Sequence, residues 1–124
     1  MKATELRLGN YVSVNRGDGF VTIVVDLDLL AEIQKADWPF EPIAITGDWL
    51  MKLGFTICES KIIDNPDIFT IQISNHETLD YEDEEFFIAG VNSHRVVDLW
   101  NSPKYVHQLQ NLYFALTGEE LATK

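Results

Sequence analysis

The most regular alternation of hydrophobic and polar positions lies near the C-terminal end of the chain. At about 100° per residue, Tyr105, Val106, Leu109, Leu112, Tyr113 and Leu116 share one side, a stripe wide enough to cover a sheet. His107, Gln110 and Asn111 face away, with Gln108 at the edge. Ser102 is a good N-cap, Pro103 suits the first helical position, and Gly118 can close the helix in the left-handed conformation. Together these signals predict a helix over 102–117. Phe114 is left on its polar side, about half a turn from Tyr105. Either the tail folds back after Gly118, with Thr117 and Glu120 as a capping box and Leu121 meeting Phe114 or the N-terminal segment, or Phe114 anchors a dimer or partner contact.

Upstream the period is mostly that of strands. Thr4 to Leu8 reads as one helical turn stopped by Gly9. Asn10–Asn15 and Phe20–Asp26 read as strands joined through Arg16-Gly17-Asp18-Gly19, whose glycines suit a tight turn. The second strand is almost continuously β-branched, which predicts burial on both faces. The spacing in Leu27–Lys35 fits a short helix or a third strand. Two prolines make Asp37–Pro42 irregular. Ile43–Ile45 is a brief strand, and Thr46 caps a short helix whose inner face is Trp49, Leu50 and Leu53, ended by Gly54. Phe55–Cys58 and Lys61–Asp64 are short strands, followed by a turn at Asn65-Pro66-Asp67. Ile68–Ser74 alternates, with Phe69, Ile71 and Ile73 on one face. Asn75–Asp83 reads as a polar loop, and Glu85–Ala89 with His94–Trp100 as a closing hairpin.

Short connections favour hairpins over crossovers. The fold class is therefore α+β: antiparallel sheets, an N-terminal half analogous to a small SH3-like barrel, a short central helix, and a C-terminal helix packed on the second sheet. The 124 residues suit a single domain, with 1–45 as a small β unit and 46–124 as a β-meander plus helix.

Charge changes the functional picture. Nine basic residues against 20 acidic ones give −11, which disfavours nucleic acid and suits solubility or a basic protein partner. No run approaches the roughly 18 apolar residues of a membrane span. The segment Met1–Leu6 lacks a signal-peptide pattern and the lone Cys58 can form no internal disulfide, so a cytoplasmic location is expected.

Candidate chemistry is sparse. His76-Glu77 opens like a zinc-protease motif, but Asp80 stands where the second histidine is needed. His76, His94 and His107 fall on a loop, a strand and a helix. No nucleophile elbow, phosphate-binding loop or dinucleotide fingerprint occurs, and no metal, cofactor or catalytic residue is expected. Cys58 reads as a buried structural thiol, and Arg16-Gly17-Asp18 as a hairpin turn rather than an integrin ligand. The run Asp80, Glu82, Asp83, Glu84, Glu85 lacks the alternation and glycine of a calcium loop. It reads as solvated, or as a mimic of nucleic-acid phosphates that binds a basic protein.

Three stretches carry a resemblance: Met1–Arg7 with Gly9-Asn10-Tyr11-Val12, Thr46 with Trp49-Leu50 and Lys52-Leu53-Gly54-Phe55, and Lys104–Leu121, the most specific. They resemble a family of small uncharacterised proteins encoded in gut Bacteroidetes genomes, often in prophage or other mobile-element regions. Members more often carry a proline and two acidic residues around the central cap, where this chain has Ala44, Gly47 and Asp48. The resemblance implies a genomic setting and no activity.

The leading expectation is a non-catalytic accessory or protein-interaction domain of mobile-element origin, bound to a protein partner or to itself. The candidate interaction residues are Phe114, Gln110, His107, Asp80, Glu82, Asp83 and Glu84. The alternatives are a small enzyme using carboxylates in a sheet–helix pocket and the acidic nucleic-acid mimic.

Overall fold

The structure is a computed structural model and describes residues 6–15, 19–29, 31, 40–58, 67–90, 95–98 and 102–121. It is α+β, with two antiparallel sheets. The first contains β1 (Tyr11–Asn15), β2 (Phe20–Val24) and β3 (Phe40–Glu41), in the order β2-β1-β3. Helix α1 (Gly47–Lys52) follows. The second sheet runs in chain order through β4 (Thr56–Cys58), β5 (Ile68–Gln72), β6 (Thr78–Glu82), β7 (Glu85–Ala89) and β8 (Arg95–Asp98). Helix α2 (Val106–Thr117) closes the fold.

The main core lies between the five-stranded sheet and the two helices. Leu79, Phe86 and Ile88 meet Leu50, Leu53, Phe55, Val106 and Leu109 there, and Phe69, Ile71 and Ile73 line it as their alternation requires. A smaller core of Leu6, Val12 and Val25, with Ile23 and Leu29 against it, sits beneath the three-stranded sheet. The Thr46 hydroxyl accepts the Trp49 N–H at 3.2 Å and caps α1 as expected. Gly54 leaves that helix with φ +98°, a conformation that favours glycine.

Helix α2 begins later than its sequence signals imply. The N-cap is Tyr105, because Ser102 is used elsewhere: its hydroxyl accepts the Phe86 N–H at 3.1 Å. Residues 104–106 pair instead with 43–45. Ala44 bridges Tyr105, Ile45 N–H donates to Lys104 C=O, and Val106 N–H donates to Ile43 C=O. The Gln108 side chain accepts from the Lys104 and Tyr105 N–H groups, doing the capping that Ser102 does not. Gly118 closes the helix with φ +74°, as expected.

Four further expectations change. Residues 78–82 form β6 rather than a polar loop, because Leu79 points into the core while the buried Asp80 carboxylate accepts the Thr70 hydroxyl proton across the sheet. Phe40–Glu41, between two prolines, form a two-residue edge strand on β1; an edge tolerates the missing proline donors. The described part of Thr4–Leu8 is not helical: Leu6 and Arg7 lead into a turn at Leu8-Gly9, and the Asn10 carboxamide accepts the Arg7 N–H at 2.6 Å. Strand β2 is not buried on both faces. Phe20, Val21, Thr22 and Val24 are exposed, because β2 is the outer strand of a three-stranded sheet. Residues 27–29 are helical and begin at Asp26, whose carboxylate accepts the Leu29 N–H. The expected strand Lys61–Asp64, most of the Arg16–Gly19 turn and the side chain of Cys58 lie outside the described residues. No helix among the described residues is long and apolar enough to cross a membrane.

Candidate interaction site

The polar side of α2 turns inward rather than to solvent. Gln110, expected to face away, is fully buried. Its carboxamide oxygen accepts the Tyr11 N–H at 2.9 Å, and its Nε2 donates to the Gly9 and Leu121 carbonyls, both at 2.9 Å. One side chain thus ties the helix to the start of β1 and to the C-terminal tail, which satisfies its own buried polar atoms. His107 is buried as well, with its ring stacked on Tyr105 at a centroid distance of 6.1 Å. Both residues therefore serve the interior, and neither is placed to meet a partner at the surface. Leu116, assigned to the apolar stripe, is instead exposed, because the last turn of α2 runs past the main core.

Phe114 belongs to a surface clamp beside Gln110. The Arg7 guanidinium lies 4.4 Å from its ring centroid. The same guanidinium donates to the Asn111 carboxamide at 2.8 Å and to the Glu120 carboxylate at 2.8 Å, and it reaches the Gln110 carbonyl at 3.2 Å. The tail does fold back after Gly118: the Thr117 hydroxyl accepts the Glu119 N–H, Glu120 meets Arg7, and Leu121 enters the main core. The expected pairing of Thr117 with Glu120 is replaced by these separate contacts.

The acidic run divides in two. Asp80 is withdrawn from the surface and held by Thr70. Glu82 and Glu85 face each other across the β6–β7 hairpin, and Asp83 and Glu84 form its two-residue turn with φ +51° and +67°. Such a turn normally uses Asn, Asp or Gly, so Glu84 carries some backbone strain. Burial, then the nearby Glu84 and Asp83 carboxylates, push the Tyr81 hydroxyl above its ordinary pKa. Among the described residues no three His, Cys, Asp or Glu side chains gather as metal ligands would.

The exposed apolar residues of β2 were missed by sequence reasoning. Phe20 is 56% exposed, Val24 49% and Val21 46%, and Leu27, just beyond the strand in the chain, is exposed too. Apolar residues grouped on one strand in this way differ from scattered exposed ones, which need no explanation. The only available signal was the continuous β-branched run, which looks the same for a buried central strand and for an apolar edge. No protein-family model, curated protein or solved structure matches the chain.

Proposed function

We propose that the protein is a non-catalytic interaction domain, of mobile-element origin, that recruits a protein partner through the outer side of β2. The observation that carries this reading is the exposure of Phe20, Val21 and Val24 on an outer strand. Soluble proteins usually blunt such an edge with lysine, proline or a bulge, and FVTIV has neither residue. The origin is supported by the resemblance in Met1–Val12, Thr46–Phe55 and Lys104–Leu121.

The test is affinity capture from an extract of the native cells, comparing the natural protein with Val24→Lys and identifying bound proteins by mass spectrometry. Val24 is exposed, so the variant should fold normally. Loss of specific partners in the variant supports the reading, and an unchanged set of partners contradicts it. The acidic mimic is the second reading, supported by the exposed Asp83, Glu84 and Glu85 at the β6–β7 turn. It predicts that the combined variant Asp83→Asn, Glu84→Gln loses the partner while Val24→Lys keeps it.

A further inference from the structure

Resting on that reading of β2 as the docking strand, we propose that the occupant is an extended basic segment of another protein, which joins the N-terminal sheet as an added strand beside β2. The backbone geometry fixes which groups it would meet. Val25 N–H donates to the Asn10 carbonyl at 2.8 Å, and Val25 C=O accepts the Gly9 N–H at 2.8 Å. Both polar groups of Val25 therefore turn toward the β1 side. Along an extended chain these groups alternate in direction, so Val21 and Ile23 also face β1, while Phe20, Thr22 and Val24 present N–H and C=O outward. Among the described residues no strand pairs with that outward edge.

The side chains fit an incoming strand as well as the backbone does. Phe20, Thr22 and Val24 share one face of the sheet, where a neighbouring strand would pack beside them. Backbone hydrogen bonds supply affinity in this mode, and alternate side chains supply preference.

Charge selects the occupant. Between Arg16 and Lys35 the chain carries Asp18, Asp26, Asp28 and Glu32 and no basic residue. Asp26 and Asp28 are exposed just beyond the end of β2. A second copy would bring another −11 to the same edge, whereas a segment alternating apolar and basic residues matches it.

The experiment uses a short capped peptide alternating valine and lysine. Its controls are the same peptide with glutamate for lysine, and a version N-methylated on alternate amides in either register. Binding is read by backbone amide exchange and chemical shift on the whole protein. At a peptide concentration about ten times its Kd, exchange at Phe20, Thr22 and Val24 should slow about tenfold. Added salt should weaken the complex, the glutamate peptide should bind at least about tenfold more weakly, and N-methylation should abolish binding in the register whose amides face β2 and spare it in the other. Thr22→Pro removes an outward N–H without touching the bonds to β1, so it should fold and fail to bind; Val24→Lys, which repels the lysines, is the second variant should the proline disturb β2.

Binding that survives N-methylation in both registers, binding elsewhere on the protein, or no binding at millimolar peptide overturns the proposal. So does a dimer, seen by sedimentation without peptide, that protects the same three amides. If the peptides fail but Val24→Lys still abolishes cellular capture, strand addition is wrong and the docking role of β2 stands. If both fail, both are wrong.

Discussion

Strands β2 and β7 are built from similar residues and have opposite fates. Strand β7, EFFIA, lies between β6 and β8, and four of its five residues are buried. Among the described residues, strand β2, FVTIV, has β1 on one side only, and four of its five residues are exposed. Apolar composition made both of them strands. Their place in the strand order decided whether that composition became core or surface. In β7 the apolar side chains are packed in the core; in β2 most of them are exposed.

The sharpest way to break this contrast is to truncate one phenylalanine in each strand. Phe86→Ala, at 1% exposure, should cost about 3–5 kcal/mol, while Phe20→Ala should stay within about 1 kcal/mol, both measured by denaturant unfolding. Equal losses would mean that β2 is packed after all.

Gln110 ties the closing helix to the start of β1 and to the tail, and its removal should be felt next. Gln110→Leu keeps the bulk of the side chain but strands the Tyr11 N–H and the Gly9 and Leu121 carbonyls. A loss of about 3 kcal/mol is expected in the same unfolding assay. A loss below about 0.5 kcal/mol would show that the N-terminal strand and the tail do not depend on that side chain.

How much of this was legible varied by element. The α1 cap and the alternation of Ile68–Ser74 are local, and Thr46 and Phe69, Ile71 and Ile73 sit where local rules put them. The start of α2 was misplaced because a serine and a proline carry the same capping signal whether or not they are used for it; Phe86 N–H claims Ser102. Strand β6 was hidden because Asp80 and Glu82 resemble loop residues until Thr70 is known to face Asp80. The burial of Gln110 depends on partners in Gly9 and Tyr11, about a hundred positions away in sequence, as the fold brings them together. For the candidate site, Phe114 and the Asp83-Glu84 turn were identified as surface features, whereas the openness of β2 depends on strand order, which no local pattern encodes.

Smaller effects sharpen the picture of the surfaces. Phe114→Ala should cost about 1 kcal/mol by removing the platform under Arg7, with no change of mass in sedimentation. Dissociation of an oligomer would instead assign Phe114 to an interface. Glu84→Gly should raise stability by about 1 kcal/mol, since glycine takes the positive φ without strain. An unchanged melting temperature would mean that the turn relaxes at no cost.

The central claim is that the outer edge of β2 stands open, and residue-resolved amide exchange of the free protein tests it most directly. The amides of Val21 and Ile23, which face β1, should be protected, and those of Phe20, Thr22 and Val24 should exchange much faster. Equal protection of all five would show that the edge is already covered and would contradict the account.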